Sequence, residues 1–327
     1  MKGDKDRRVL SYRAWAFQER KLSTRVLEYR SGQISLTCRT GMIEESSSIM
    51  KEKYVFQEGS RPLSWSESAH GGDKVVHKWY LEWYTSIENY SRRDLTYESD
   101  KLPALSGYAH AMQEVLEGTY LAGLWKQDLL IGMLWSAFST RNRLRHPNQR
   151  RCPTWSWAAL DGSIEYHLSW IQYRNVRQES RMQLKLVKGE VQLVGSDMMG
   201  QVRLGSLTVS GHIKKVKCLP ARSGVAWVRH DVYALSDVEN WDALGDFLAD
   251  EAQSSAQTDS TGKAYAICLF DTEDARPKDI WCLAVVSTRG IVLEYLADKD
   301  VYQRVGFFMF SDSTWMSTSP VSTITIV

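Results

Sequence analysis

Glu19 is the single carboxylate in Arg13-Ala14-Trp15-Ala16-Phe17-Gln18-Glu19-Arg20, an aromatic run that reads as a short helix. A carboxyl held against Trp15 and Phe17 would have its pKa raised by burial and could act as a general base. A carboxyl that caps, pairs or faces water would not. Arg141, Arg143, Arg145, Arg150 and Arg151 form the one concentrated basic stretch, which suits phosphate or is a solvated loop. Cys152 stands beside Pro153 and these arginines, a setting that lowers a thiol pKa. The other reading makes it a small apolar residue at a loop end. His70 and His77 share a helical spacing, but Gly71-Gly72 interrupts any helix between them, so no metal is expected there.

The usual catalytic signatures are absent. No Gly-x-Gly-x-x-Gly follows a strand, and Gly262-Lys263 lacks the rest of a phosphate loop. There is no Gly-x-Ser-x-Gly elbow, no Cys-x-x-Cys and no His-x-x-x-His. No cofactor is expected. A net charge of +2, from 41 basic and 39 acidic residues, argues against a global footprint for nucleic acid or an anionic membrane. Cys38, Cys152, Cys218, Cys268 and Cys282 are odd in number and far apart, which points to a reducing, cytoplasmic setting without disulfides. The first residues lack the apolar stretch of a secretory leader.

The elements that would position these residues change character along the chain. After the first helix, with Ser11 as a candidate N-cap, Val26–Tyr29 and Gln33–Cys38 alternate as a hairpin around Ser31-Gly32. Residues 42–73 read as linker, being rich in Gly, Ser and charge. Trp79, Trp83, Ile87 and Tyr90 form a helical stripe. A second helix starts with Asp100 as cap and Pro103 in its first turn, and stops at Gly118. A third is expected over Tyr120–Phe138. From about Leu160 the period becomes that of strands: 182–194 with a bend at Gly189, 203–216, 264–270, 279–287, 290–296 and 304–310. Ser287-Thr288-Arg289-Gly290 reads as a hairpin turn, and Val238–Ala252 as the one helix of this half. The fold class is therefore α+β, with segments 1–40, 41–74, 75–160 and 161–327: a helix-hairpin, a linker, a helical layer and a mainly antiparallel β region.

Residues 13–25, RAWAFQERKLSTR, with VLEY and a strand ending at Cys38, resemble the closing motif of the fungal heterokaryon-incompatibility (HET) domain. The matching positions are Arg13, Ala14, Trp15, Gln18, Glu19, Arg20, Leu22, Ser23 and Arg25. Tyr90–Thr96, Asp100–Gly107, Tyr120–Trp125, Pro153–Ala158 and Arg304-Val305-Gly306 resemble segments that follow this domain, in the same order. The domain's opening and central motifs are missing, which implies a truncated or diverged member. The resemblance implies a regulatory role in non-self recognition and cell death through a protein partner. HET domains have been likened to TIR domains, some of which cleave NAD, and on that alternative Glu19 is the residue to test. Trp15 is expected to be buried.

Overall fold

The computed structural model describes residues 9–30, 33–38, 41–45, 51–52, 73–137, 144–166, 183–220, 232–235, 266–272, 279–310 and 314–327. The protein is α+β, with helices early in the chain and a mainly antiparallel sheet in the later half. Contacts divide it into two compact units, Met1–Gln127 with Leu193–Gln201, and Asp128–Gln192 with Val202–Val327.

In the first unit, α1 (Trp15–Leu22) follows a 3-10 turn at Val9–Tyr12. Ser11 is not at its N-cap position. Ala14 holds the N-cap position without a side-chain bond. The entry is fixed by backbone instead: the Ala14 N–H donates to the Asp94 carbonyl at 3.0 Å, and the Asp94 N–H to the Tyr12 carbonyl at 2.5 Å. The hairpin forms as its alternation predicts, from β1 (Arg25–Arg30) and β2 (Gln33–Cys38). The expected linker contributes to it: β3 (Gly41–Glu44) and β4 (Lys51–Glu52) extend the sheet to four antiparallel strands. Strands this short carry too few residues for alternation to register. The rest of that stretch, with His70, lies outside the described residues.

Two helices complete the packing. In α2 (Asp73–Ser91), Trp79, Trp83, Ile87 and Tyr90 are all buried, as their spacing predicts. In α3 (Pro103–Leu116), Pro103 opens the helix, where its missing N–H costs nothing. Asp100 does not cap it, since a 3-10 turn at Glu98–Lys101 intervenes. The stop falls at Glu117, which takes the left-handed conformation (φ 48°) one residue before Gly118.

The helix expected over Tyr120–Phe138 is not there. Tyr120–Leu121 (β5) and Leu124–Trp125 (β6) form a tight hairpin, with Ala122 and Gly123 at φ 47° and 93°. Two successive left-handed residues match the twist of a two-residue hairpin. Every residue from Tyr120 to Trp125 is buried, so the run has no polar face to reveal its period. The second unit begins with one helical turn, α4 (Leu129–Gly132), and β7 (Ser136–Ala137), which pairs with β8 (Ile164–Glu165).

The main sheet is built from β9 (Leu184–Leu193), β10 (Val202–Pro220), β11 (Val232–Leu235), β12 (Ala266–Phe270), β13 (Asp279–Val286), β14 (Arg289–Leu296) and β15 (Val301–Phe310). After a short α5 (Thr314–Ser317), β16 (Val321–Ile326) joins it. β9 runs straight through Gly189 without the expected bend. The turn between β13 and β14 falls at Ser287-Thr288, as read from the sequence. The expected helix at Val238–Ala252 lies outside the described residues.

Antiparallel pairing runs from β10 through β13, β14, β15, β12 and β11 back to β10, so these strands close on one another. Closure removes free edges. Val216, Cys268, Phe270, Ile280, Cys282, Val292, Phe308 and Met316 form one buried apolar cluster of this sheet, in which neither cysteine is in a disulfide. No helix among the described residues is long and apolar enough to cross a membrane.

Gly290 marks how closely the strands approach. A Cβ there would lie 2.2 Å from the Leu283 carbonyl oxygen and 2.3 Å from the Phe308 ring. Gly290→Ala should therefore cost about 1–3 kcal/mol or more, the range for overpacking a filled core. Gly195→Ala is the control, because nothing lies within 4 Å of a Cβ at that site. Equal denaturant midpoints for the two variants would contradict this packing.

Candidate functional site

The inward face of α1 is Ala14, Phe17, Gln18 and Lys21, an i, i+3, i+4, i+7 set. That set decides the fate of each motif residue. Phe17 is 2% exposed and meets the rings of Tyr90 and Tyr108 edge-on, at 5.4 and 5.7 Å between centroids. Trp15 falls outside the set and is 40% exposed, so its expected burial is wrong. Its indole N–H donates to Asp100 Oδ2 at 3.1 Å, which ties α1 to the turn before α3. Gln18 Oε1 accepts the Gly107 N–H at 3.0 Å, an approach that a Cβ at residue 107 would obstruct. Arg13 is exposed but bridges Asp94 through its backbone. Arg20 pairs with Glu28 of β1. Leu22 is half-buried, and Ser23 closes the helix, its N–H and hydroxyl both donating to the Glu19 carbonyl at 3.0 and 2.6 Å. Arg25 is exposed at the start of β1.

Glu19 is exposed, and its carboxylate makes no hydrogen bond or ion pair among the described residues. The apolar pocket that would make it a base is absent, because Phe17 points inward and Trp15 toward Asp100. The geometry gives Glu19 neither an orienting partner nor a dry environment, both of which general-base work uses.

The chemistry-bearing side chains are instead assembled beneath α1. Lys21 Nζ lies 2.8 Å from Glu82 Oε1 of α2, with both side chains buried. The ammonium also sits 5.8 Å from the Phe17 ring centre and 5.6 Å from that of Tyr108. Ser86 reaches Glu82 at 3.4 Å and the Tyr108 hydroxyl at 3.0 Å. Burial, then the nearby Glu82 charge, push the Tyr108 hydroxyl well above the ordinary tyrosine pKa, against an opposing hydrogen bond from Ser86. Lys21, Glu82, Ser86 and Tyr108 thus join α1, α2 and α3 through one polar chain inside an aromatic shell. A signal for it was present in the sequence: Glu82 and Ser86 are polar positions within the apolar stripe of α2.

In the second unit, Arg304 of β15 is fully buried. Its Nε and Nη2 donate to the two carboxylate oxygens of Asp271 at 3.0 and 3.1 Å. Its guanidinium also donates to the Met133 and Trp135 carbonyls and lies 3.4 Å over the Trp135 ring. Thr154 Oγ1 accepts the Arg304 N–H at 2.9 Å, and the Trp135 indole donates to the Trp155 carbonyl at 3.2 Å.

The other sequence candidates resolve similarly. Cys152 is buried at 3% exposure, as the apolar reading has it. Arg151 is held by Asp161 at 2.6 Å and by the Ala158 and Leu160 carbonyls at 2.7 and 3.0 Å. Arg145 and Arg150 are exposed, while Arg141 and Arg143 lie outside the described residues. Among the described residues no group of three or more His, Cys, Asp and Glu could hold a metal ion.

The four-stranded sheet has an unusual polarity. Ser35 and Thr37 are buried, whereas Leu27, Tyr29, Ile34, Leu36 and Ile43 are exposed at 52, 76, 37, 39 and 40%. Register places Leu27 opposite Leu36, Tyr29 opposite Ile34, and Leu36 opposite Ile43, so these five share one outward face.

Removing either partner of the Lys21–Glu82 pair leaves the other charge buried alone. Lys21→Met and Glu82→Leu should each cost about 3–5 kcal/mol in denaturant melts, and the double variant carrying both should cost less than the two added. Strict additivity would mean the pair is uncoupled. The raised Tyr108 hydroxyl gives a signed pH effect. Above the ordinary tyrosine value of 10.0 an unfolded tyrosine ionises while the folded Tyr108 stays neutral, so stability is intact below that pH and falls as pH rises through it. Tyr108→Phe should lose this component of alkaline destabilisation; an unchanged pH profile would contradict it.

No family model, curated protein or solved structure matches the chain.

Proposed function

We propose that this chain is a non-catalytic interaction protein of the HET type, acting in fungal non-self recognition and cell-death signalling in the cytoplasm through a protein partner. The observation that carries the reading is where the resembling segments lie. Within the first unit, residues 13–25 meet the others side by side: Ala14 bonds Asp94, Trp15 bonds Asp100, Phe17 packs on Tyr90, and Gln18 bonds Gly107. In the second unit, Thr154 of one resembling segment bonds Arg304 of another. Segments that share a family's order would be expected to pack together if they are one structural device. Two motif side chains, Trp15 and Gln18, are used in that packing, which supports interaction over chemistry.

The exposed apolar face around Leu36 supplies a surface a protein partner would cover. The NAD-cleaving alternative has no comparable support, because Glu19 stands alone in solvent. Induced expression in mycelium separates the two. Growth arrest by the wild-type chain should be relieved by Leu36→Glu, which leaves the thermal midpoint unchanged, and should persist in Glu19→Ala. Purified chain should release no more nicotinamide from NAD than the Glu19→Ala control. Turnover lost in that variant, with arrest lost alongside it, would overturn the interaction reading.

A further inference from the structure

One corner of the main sheet carries partly exposed aromatic rings and carboxylates. Register aligns Lys215 of β10 with Trp281 of β13, Trp281 with Leu293 of β14, and Tyr295 of β14 with Tyr302 of β15. Alternation puts these side chains, with Asp279, on one face. Trp281 and Tyr302 reach over Leu293 to meet edge-on, with centroids 5.8 Å apart and planes at 86°. Tyr295 and Tyr302 are 5.1 Å apart and tilted by 49°. The rings therefore stand as walls at an angle, rather than as a flat platform for stacking a base or a sugar. Trp281 and Tyr302 are half-buried and Tyr295 is exposed.

The corner already holds a cation. Lys215 Nζ lies 5.9 Å from the Trp281 ring centre and 3.1 Å from Asp279 Oδ2, and both Lys215 and Asp279 are half-exposed. On the other side of the rings, the Tyr295 hydroxyl donates to Asp300 Oδ1 at 2.8 Å. Burial and the Asp300 charge push the Tyr302 hydroxyl up, and the Asp300 hydrogen bond does the same at Tyr295, so both hydroxyls stay protonated beside that carboxylate. Angled aromatic faces bounded by carboxylates are the complement of an alkylammonium ion, which the ring quadrupoles attract while the carboxylates balance its charge.

We propose that the corner formed by Trp281, Tyr295 and Tyr302, flanked by Asp279 and Asp300, is a binding site for a methylated lysine side chain of a partner peptide, with Lys215 as its resident occupant. Methylation favours the site because it spreads the charge and lowers the hydration that must be shed. Carboxylates at the rim disfavour phosphate-bearing partners, whose charge they would repel. The proposal is independent of the reading given to residues 13–25 and stands or falls without it.

The test uses the full chain. A peptide carrying trimethyl-lysine is titrated while the Trp281 indole N–H is followed by NMR, beside the same peptide with glutamine at that position. Saturable shifts at Trp281 and Tyr302 are expected with the first peptide and not with the second. Tetramethylammonium chloride should move the same signals where sodium chloride at equal ionic strength does not. Trp281→Leu should reduce the affinity at least tenfold, and Tyr302→Leu serves the same end should the first variant fold poorly. Lys215→Ala should bind several-fold tighter, because the competing ammonium is gone and Asp279 is left free. The ring substitutions change no charge, so they separate binding at the rings from a simple charge effect of the peptide. Shifts that fail to saturate, that sodium reproduces, or that survive both ring substitutions overturn the proposal, as does weaker binding by Lys215→Ala.

Discussion

A cation taken out of water must find an anion, carbonyl oxygens or ring faces within reach, or it forfeits several kcal/mol of hydration. Each unit of this protein is organised around one such demand. In the first, Lys21 carries a point charge into an aromatic shell, so Glu82 must approach within 2.8 Å and the Phe17 and Tyr108 rings must face it. That fixes α1 against α2 and α3 at once. In the second, Arg304 presents a flat fork, met by both oxygens of Asp271 and by the carbonyls of Met133 and Trp135. One residue thereby joins β15, the end of β12 and the segment after α4. Lysine and arginine are not exchangeable at these positions: a single carboxylate suits the first, and only a planar fork satisfies the second.

Much of the fold was legible where burial is one-sided. Residues 207–213 of β10 alternate because one face is core, whereas β13, β14 and β15 are buried on both faces over much of their length and read from the sequence as short apolar runs. Tyr120–Trp125 defeated the same reasoning because all six residues are buried, and a run without a polar face carries no period. Trp15 and Phe17 illustrate a finer limit. Both are large aromatics on one short helix, and the sequence favours neither for the inside. The choice is made by Lys21 and Gln18, which share the Phe17 face and find Glu82 and Gly107 there. Tertiary partners unknown from local sequence decided which ring is buried. The centre at Arg304 was illegible for a related reason, since its partners lie far away in the chain, at Asp271, Met133 and Trp135.

The same partners account for what the motif around Glu19 can do. Catalysis by a carboxylate needs an environment that shifts its proton affinity and a neighbour that orients it. Beneath α1 the buried carboxylate is Glu82, and it is closed off by Lys21, Ser86 and the surrounding rings. Glu19, on the open side of the same helix, has access and nothing else. Burial and access are therefore divided between two carboxylates, and neither has both.

The inverted polarity of the four-stranded sheet follows from this arrangement. A sheet that buried its apolar face would leave Ser35, Thr37 and Glu28 in water and would give α1 nothing polar to meet. Here Glu28 takes the Arg20 ion pair and lies 3.5 Å from the Ser35 hydroxyl, so the inward face is held by polar contacts and the apolar residues are turned outward. An outward face of Leu27, Tyr29, Ile34, Leu36 and Ile43 gains nothing for the isolated chain, because apolar area left in water contributes no burial free energy. Its contribution can come only when something covers it. Among the described residues of the first unit the buried charge of Lys21 is therefore met by Glu82, while the apolar face of the four-stranded sheet stays partly in water.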